Sequence, residues 1–195
     1  MRVIGVTGGV GAGKSTVLQY MENTWHARLI LADQVGHEVM EPGKEAYGEI
    51  LKVFGRGILQ KDGSVDRGIL GGIVFADKEK LEKLNAIVHP AVKKEILRRI
   101  GQARQEGEDC VVVEAALFLE EKYDAFCDET WYIYTNEDER RRRLKASRGY
   151  TDRRIDQMIG RQKSHEEFLS RCAYVIDNNG TAEHTFCQID KRMKQ

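Results

Sequence analysis

The residues from Gly8 to Ser15 carry the strongest chemical signal in this sequence. They read GGVGAGKS and match the phosphate-binding pattern GxxxxGK[ST]. Glycines let backbone amides approach an anion closely, and a following helix presents its free N–H groups and positive dipole end. The Lys14 side chain supplies charge for the β- and γ-phosphates, and the Ser15 hydroxyl is a typical ligand of Mg²⁺. The pattern therefore predicts a nucleotide phosphate site built from Gly11, Ala12, Gly13, Lys14, Ser15 and Thr16.

The sequence around this loop predicts the elements that would position it. The apolar run 3–6 is typical of a buried strand, and residues 14–25 have Val17, Leu18 and Met21 at core-facing helical spacing. A phosphate-binding loop needs this strand before it and a helix after it, so the context supports the motif.

Four further short runs predict the rest of a sheet. They are separated by helical segments, which favours an open parallel α/β sheet flanked by helices, the P-loop NTPase type of fold. The runs are 28–31, 110–113, 131–134 and 174–177.

Two helical insertions interrupt that plan, at 34–107 and 136–171. The first contains the helical patterns 81–88 and 92–100 and no convincing long strand. The second is strongly basic, and Ser164 with Glu167 forms a capping-box pattern that predicts a helix start. The remaining ranges, 1–33, 108–135 and 172–195, are expected to form one core.

Composition limits the classes of function. The chain has 31 basic and 31 acidic residues, so no global positive field would hold a nucleic acid or an anionic membrane. Its four cysteines form no CxxC pair, and no apolar run reaches the roughly 20 residues that span a bilayer. We therefore expect a cytoplasmic protein with no nucleic-acid, membrane or obligate protein partner.

The loop alone does not choose among a GTPase, an ATPase motor and a kinase. The DxxG switch and NKxD base-reading motif expected of a GTPase are not found. A kinase needs an acceptor site and a cover for the phosphates, and the two insertions fit both needs. A nucleotide-dependent switch protein stays open as a less favoured alternative.

Taken in order, several segments resemble the dephospho-coenzyme A kinase family over nearly the whole chain. The resemblance depends on their order and spacing, since only the phosphate-binding loop is specific by itself. The segments are TGGVGAGKST at 7–16, LADQVGHEV at 31–39, EPG at 41–43, DGSVDRGILGGIVF at 62–75, LNAIVHP at 84–90, the strand ending in Glu114 and VIDNNG at 175–180.

The resemblance implies a reaction and a division of labour. The expected activity is transfer of the γ-phosphate of ATP, with Mg²⁺, to the ribose 3′-OH of dephospho-coenzyme A. The insertion 34–107 would then bind coenzyme A, and 136–171 would be a lid. Another P-loop kinase, acting on a nucleoside, nucleotide or sugar, is the alternative.

The resemblance also assigns two carboxylates. Asp33 matches the family's general base, and its alternative reading is a helix cap. Glu114 ends an apolar strand where an acid would bind Mg²⁺ directly or through water, and its alternative is a solvated strand end.

Substrate and nucleotide contacts are assigned in the same way. His89 and Pro90 match a substrate-side His-Pro pair, unless Pro90 only starts a helix. Arg67 matches a position that could contact the substrate's phosphates, or it forms a surface salt bridge. The resemblance makes Asn178 an expected wall of the adenine pocket, and its alternative is a plain turn over 178–180.

Arginines of the basic insertion are the remaining candidates. Four successive arginines, 140–143, point about 100° apart on a helix, so only one or two can face a nucleotide. We expect Arg143 and Arg148 to reach the transferring phosphate and the others to face solvent. Gly149 would let the lid bend.

Overall fold

The computed structural model describes all residues from Met1 to Gln195, and they form two compact units. The sheet unit comprises Met1–Ile30 and Ala103–Gln195, and the helical unit comprises Leu31–Gln102. None of the helices combines the length and the apolar composition that a transmembrane helix requires.

Five strands form one parallel sheet in the order β2-β3-β1-β4-β5, which confirms the predicted fold class. Strand β1 lies between β3 and β4, with Ile4 opposite both Val112 and Glu129. The strands are β1 (Arg2–Thr7), β2 (Arg28–Leu31), β3 (Cys110–Glu114), β4 (Glu129–Tyr134) and β5 (Tyr174–Asp177).

The central strands are buried because they are continuous apolar runs, as expected of a parallel sheet covered on both faces. Val111, Val112 and Val113 of β3 are inaccessible to solvent. Four of the helices are α1 (Lys14–Trp25), α6 (Glu137–Arg148), α7 (Asp152–Ile159) and α8 (His165–Arg171). The last, α9 (Ala182–Met193), packs on α1, with the rings of Tyr20 and Phe186 stacked 3.9 Å apart between centroids.

The predicted helix start at Ser164 is confirmed, and α9 begins with a similar side-chain cap. The Ser164 side chain accepts a hydrogen bond from the Glu167 amide, and the Glu167 carboxylate accepts one from the Ser164 amide, which completes the capping box of α8. Thr181 caps α9 by accepting from the His184 amide.

The helical unit consists of four helices and a short 3₁₀ turn at Arg56–Ile58. Its helices are α2 (Ala32–Glu38), α3 (Glu45–Phe54), α4 (Arg67–Ala76) and α5 (Lys78–Gln105), of which α5 runs on into the other unit. The helical patterns expected at 81–88 and 92–100 are confirmed, and both belong to the single helix α5.

Pro90 lies inside α5, so the reading of this proline as the first residue of a helix is wrong. A proline in a helix interior removes one backbone hydrogen bond. Long-range packing compensates for it, since Val92 and Ile96, in the turns that follow, are buried.

Candidate active site

The phosphate-binding loop connects β1 to α1. Gly13 is the N-cap of α1 and has a φ of 85°, in the left-handed region that favours glycine. A Cβ atom at this position would lie 2.3 Å from Asn178 Nδ2, so a larger residue would clash. The first turn of α1 then presents its amide groups beside the exposed side chains of Ser15 and Thr16.

The Lys14 ammonium group lies over this loop. Its Nζ donates a 2.9 Å hydrogen bond to the Gly8 carbonyl oxygen and lies 3.6 Å from Glu114 Oε1. Both side chains of this ion pair are mostly buried, at 18% and 15% exposure. Glu114 is therefore not a freely solvated strand end, and the loop has one cation and one carboxylate next to each other.

The last turn of the loop is held by two residues that directly follow β4 and β5. Asn178 Nδ2 donates to the Ala12 carbonyl oxygen at 2.7 Å, and Thr135 Oγ1 donates to the same oxygen at 3.0 Å. The Asn178 Oδ1 atom accepts from Thr185 Oγ1 at 2.8 Å. Both ends of the Asn178 amide thus bind protein atoms, and its expected role in the adenine pocket stays a prediction.

Thr135 was not among the residues selected from the sequence. It directly follows β4, and the end of a parallel strand is where ligand sites form, so its position was a usable signal. Its hydroxyl gives no motif by itself.

Of the four successive arginines, Arg141 and Arg142 pair with carboxylates of the basic insertion and make no hydrogen bond to the loop. Arg141 pairs with Glu137 and Asp156, and Arg142 pairs with Glu139. Arg143 lies on the loop side. Its Nη2 donates a 2.8 Å hydrogen bond to the Asn178 carbonyl oxygen. Its Nη1 is close to Gly13, since a Cβ atom added there would lie 3.2 Å from it.

Glu139 holds Arg143 in this position. Its Oε1 accepts from Arg143 Nε at 2.8 Å, and hydrogen bonds from Arg142 and then Arg143 lower the pKa of the Glu139 carboxyl group to about 2. The exposed Arg148 ends α6, and its guanidinium carbon lies 5.9 Å from the Tyr150 ring centroid. Gly149 follows with a φ of 61° as the C-cap.

Arg140 meets the loop at Val10, so the expectation that it faces solvent is wrong. Gln162, which meets the loop at the same residue, was not selected from the sequence. Arg140 Nε donates to the Val10 carbonyl oxygen at 2.8 Å, and the Val10 amide donates to Gln162 Oε1 at 3.2 Å. Arg140 was hidden within the arginine run. Gln162 lies between two helices and has no sequence signal.

The helical unit carries the expected acceptor-side residues, beginning with Asp33. This residue is the second of α2, whose N-cap is Leu31, and no side chain caps the helix. The helix-cap reading of Asp33 is therefore wrong. Its carboxylate is exposed and makes no hydrogen bond or ion pair.

Arg67 lines a pocket of about 350 Å³ in the same unit and makes no salt bridge, contrary to its alternative reading. Neither Asp33 nor His89 lines this pocket. His89 is partly buried in α5, and Pro90 beside it is exposed. The lining residues are His37, Met40, Glu41, Gln60, Ser64, Val65 and Arg67.

Comparison with known proteins identifies the family. The family model described as dephospho-CoA kinase matches residues 2–184. A dephospho-CoA kinase from Carboxydothermus hydrogenoformans is 39% identical, over 96% of this chain and 90% of the relative.

Solved structures agree on the fold. A Thermus thermophilus protein superimposes with a TM-score of 0.81 at 25% identity, covering 99% of this chain and 96% of the other. A Campylobacter jejuni dephospho-CoA kinase superimposes with a TM-score of 0.69 at 24% identity, covering 99% of this chain and 96% of the other. At that identity the likeness supports the fold alone. Since the family model spans nearly the whole chain, including the phosphate-binding loop, this protein is a kinase that belongs to the dephospho-CoA kinase family.

Proposed function

We propose that the protein transfers the γ-phosphate of ATP to the ribose 3′-OH of dephospho-coenzyme A. The observation that carries this proposal is the match of residues 2–184 to the dephospho-CoA kinase family. The geometry around Lys14 supports the nucleotide half of the reaction, because an ammonium group, helix N–H groups and a glycine turn lie together. We further propose that the chain acts in the cytoplasm on free metabolites and needs no partner protein.

The loop residues would bind the phosphates of ATP. The amides of residues 11, 13, 14 and 15 donate to phosphate oxygens, and Lys14 neutralises charge on the β- and γ-phosphates. The amides of Ala12 and Thr16 donate to the Gly9 and Gly13 carbonyl oxygens, so these two residues line the site. This requires Lys14 to exchange its present contacts with Gly8 and Glu114 for contacts with phosphate oxygens.

The donor set near the loop fits Mg²⁺. Ser15 offers a hydroxyl and Glu114 a carboxylate, and Mg²⁺ usually takes one or two protein oxygens and keeps several waters. When bound there, Mg²⁺ would supply charge neutralisation for the phosphates.

Asp33 is the proposed general base. Because no hydrogen bond or ion pair occupies its carboxylate, the group is free to accept the proton of the 3′-OH. The deprotonated oxygen would attack the γ-phosphorus, and the bond from that phosphorus to the bridging oxygen would break and release ADP. We propose that Arg67, His89 and Pro90 bind the acceptor.

Arg143 is the proposed lid arginine, with Arg148 as a second cation. Arg143 supports this role because its guanidinium group lies beside Gly13 and the Asn178 carbonyl oxygen. A guanidinium group at a transferring phosphate stabilises the charge of the transition state. Asn178, which directly follows β5, would contribute to the adenine pocket.

Mass spectrometry tests the proposal. The purified chain is incubated with ATP, Mg²⁺ and dephospho-coenzyme A, and we expect a product one phosphoryl group heavier, with the new phosphate on the 3′-oxygen. No product with this acceptor, but phosphorylation of a nucleoside, nucleotide or sugar, would support the alternative kinase. Nucleotide binding without product from any of these acceptors would support a switch protein.

A further inference from the structure

Val10, in the middle of the phosphate-binding loop, has both polar groups of its backbone bound by side chains. Its carbonyl oxygen accepts from Arg140 Nε at 2.8 Å, and its amide donates to Gln162 Oε1 at 3.2 Å. Arg140 Nη2 also donates to Gln162 Oε1, at 2.6 Å. The three hydrogen bonds close a ring, and each member fixes the geometry of the other two.

The Arg140 guanidinium group lies flat against the loop. A Cβ atom at Gly9 would be 2.5 Å from its Cζ, so the approach depends on a residue without a side chain. Arg140 forms no ion pair, although the three arginines after it each pair with a carboxylate. Burial lowers the pKa of Arg140. Such a half-buried cation without a counter-ion is costly unless its hydrogen bonds are used.

We propose that Arg140 and Gln162 are positioning residues that hold the Val10 peptide, and through it the phosphate-binding loop, ready for the nucleotide. The inference rests on the proposed use of this loop by ATP. The loop would otherwise lose conformational freedom on binding, and a loop already ordered binds more tightly. Gln162 lies between α7 and α8, so movement of that connection away from the loop would release the Val10 amide and weaken ATP binding.

The first test replaces Gln162 by Met, which keeps the length of the side chain and removes the acceptor. We expect the Kd for ATP and the KM for ATP to rise about tenfold, with the KM for the acceptor and the melting temperature nearly unchanged. Gln157→Met is the matched control, because Gln157 is exposed in α7 and its side chain makes no hydrogen bond.

Hydrogen exchange of the Val10 amide reports on its hydrogen bond to Gln162 and does not depend on enzyme activity. The amide should exchange slowly in the wild type and in Gln162→Glu, which keeps an acceptor oxygen, and faster in Gln162→Met. Arg140→Met should raise the KM for ATP similarly, and the double variant should be little worse than either single variant, because the ring acts as one unit.

Three results would overturn the inference. The first is that Gln162→Met changes neither the exchange rate of the Val10 amide nor the affinity for ATP. If the wild type is active in the same experiments, the proposed function still holds and only this inference is wrong. The second is a fall in kcat alone for Arg140→Met, which would make Arg140 a group that touches the transferring phosphate. The third is a wild-type chain that binds no ATP, which would contradict both the positioning role of Arg140 and Gln162 and the proposed function.

Discussion

Asn178 and Ala12 are joined by a 2.7 Å hydrogen bond, from the side-chain amide of the residue after β5 to a backbone carbonyl of the phosphate-binding loop. Thr185 donates to the other end of the same amide, and Asn178 is only 6% exposed. A buried amide with both ends satisfied resists change, because an isosteric apolar replacement removes a hydrogen bond from each of its two partners. The loop's last turn is therefore built into the core of the sheet unit.

Asn178→Leu should destabilise the chain and weaken ATP binding together. The substitution removes the donor to Ala12 and one acceptor of the buried Thr185 hydroxyl. We expect the free energy of unfolding to fall by about 1–3 kcal/mol. Urea denaturation and nucleotide titration measure the two effects. Thr185→Val is the matched control, since it removes the partner of Oδ1 and keeps the bond to Ala12. Equal losses of ATP affinity in both variants would contradict a specific role for the Ala12 contact.

Lys14→Ala should lose both nucleotide affinity and rate. The ammonium group that lies at the Gly8 carbonyl and near Glu114 is the cation proposed for the β- and γ-phosphates. We expect kcat/KM for ATP to fall by about 10³-fold or more. Lys52→Ala is the control, because Lys52 pairs with Glu49 on the exposed face of α3. A Lys14→Ala chain with near-normal kcat would remove Lys14 from the proposed site.

Asp33→Asn should nearly abolish turnover and leave ATP binding almost unchanged. The carboxylate is exposed, makes no hydrogen bond and caps no helix, so its loss should cost little stability. Removing a general base typically lowers kcat by about 10²–10⁴-fold. Asp109→Asn, at an exposed carboxylate before β3, controls for the change in charge. Full activity in Asp33→Asn would rule out the base role.

Glu139 should make the stability of the chain depend on pH in the acid range. Its hydrogen bonds from Arg142 and Arg143 lower its pKa from 4.5 to about 2, so the native state binds a proton less readily than the unfolded state. Its contribution is present above pH 4.5 and is lost as the pH falls towards 2. Because these ion pairs are partly exposed, we expect Glu139 to contribute about 1 kcal/mol or less to the free energy of unfolding.

Urea denaturation between pH 6 and pH 2 measures this dependence. The free energy of unfolding of the wild type should fall more steeply with acid than that of Glu139→Gln. Glu49→Gln, at an exposed glutamate of α3, should behave like the wild type. Parallel acid curves for the wild type and Glu139→Gln would contradict the prediction.

The sequence predicted the features that depend on local patterns. The strand before the loop, the helix from Lys14 and the capping box at Ser164 each follow from spacing and residue type, and each is confirmed. Pro90 was misread because local rules favour proline at a helix start, whereas packing of its neighbours keeps α5 continuous.

Contacts made over long sequence separations could not be read in advance. Gln162 reaches Val10 across 152 residues, and Thr135 reaches Ala12 across 123. Neither residue belongs to a short motif, and each acts through one side-chain oxygen whose partner depends on the folded chain. The motif therefore predicts which residues bind phosphate, and the fold decides which residues hold the motif.

The most direct test of the central claim is a competition experiment with the wild-type chain. ATP and Mg²⁺ are supplied with equal concentrations of dephospho-coenzyme A and a free nucleoside, and kcat/KM is measured for each acceptor. We predict a preference for the 3′-OH of dephospho-coenzyme A of roughly a hundredfold or more. A preference for the nucleoside, or a phosphate found on any other oxygen, would contradict the account.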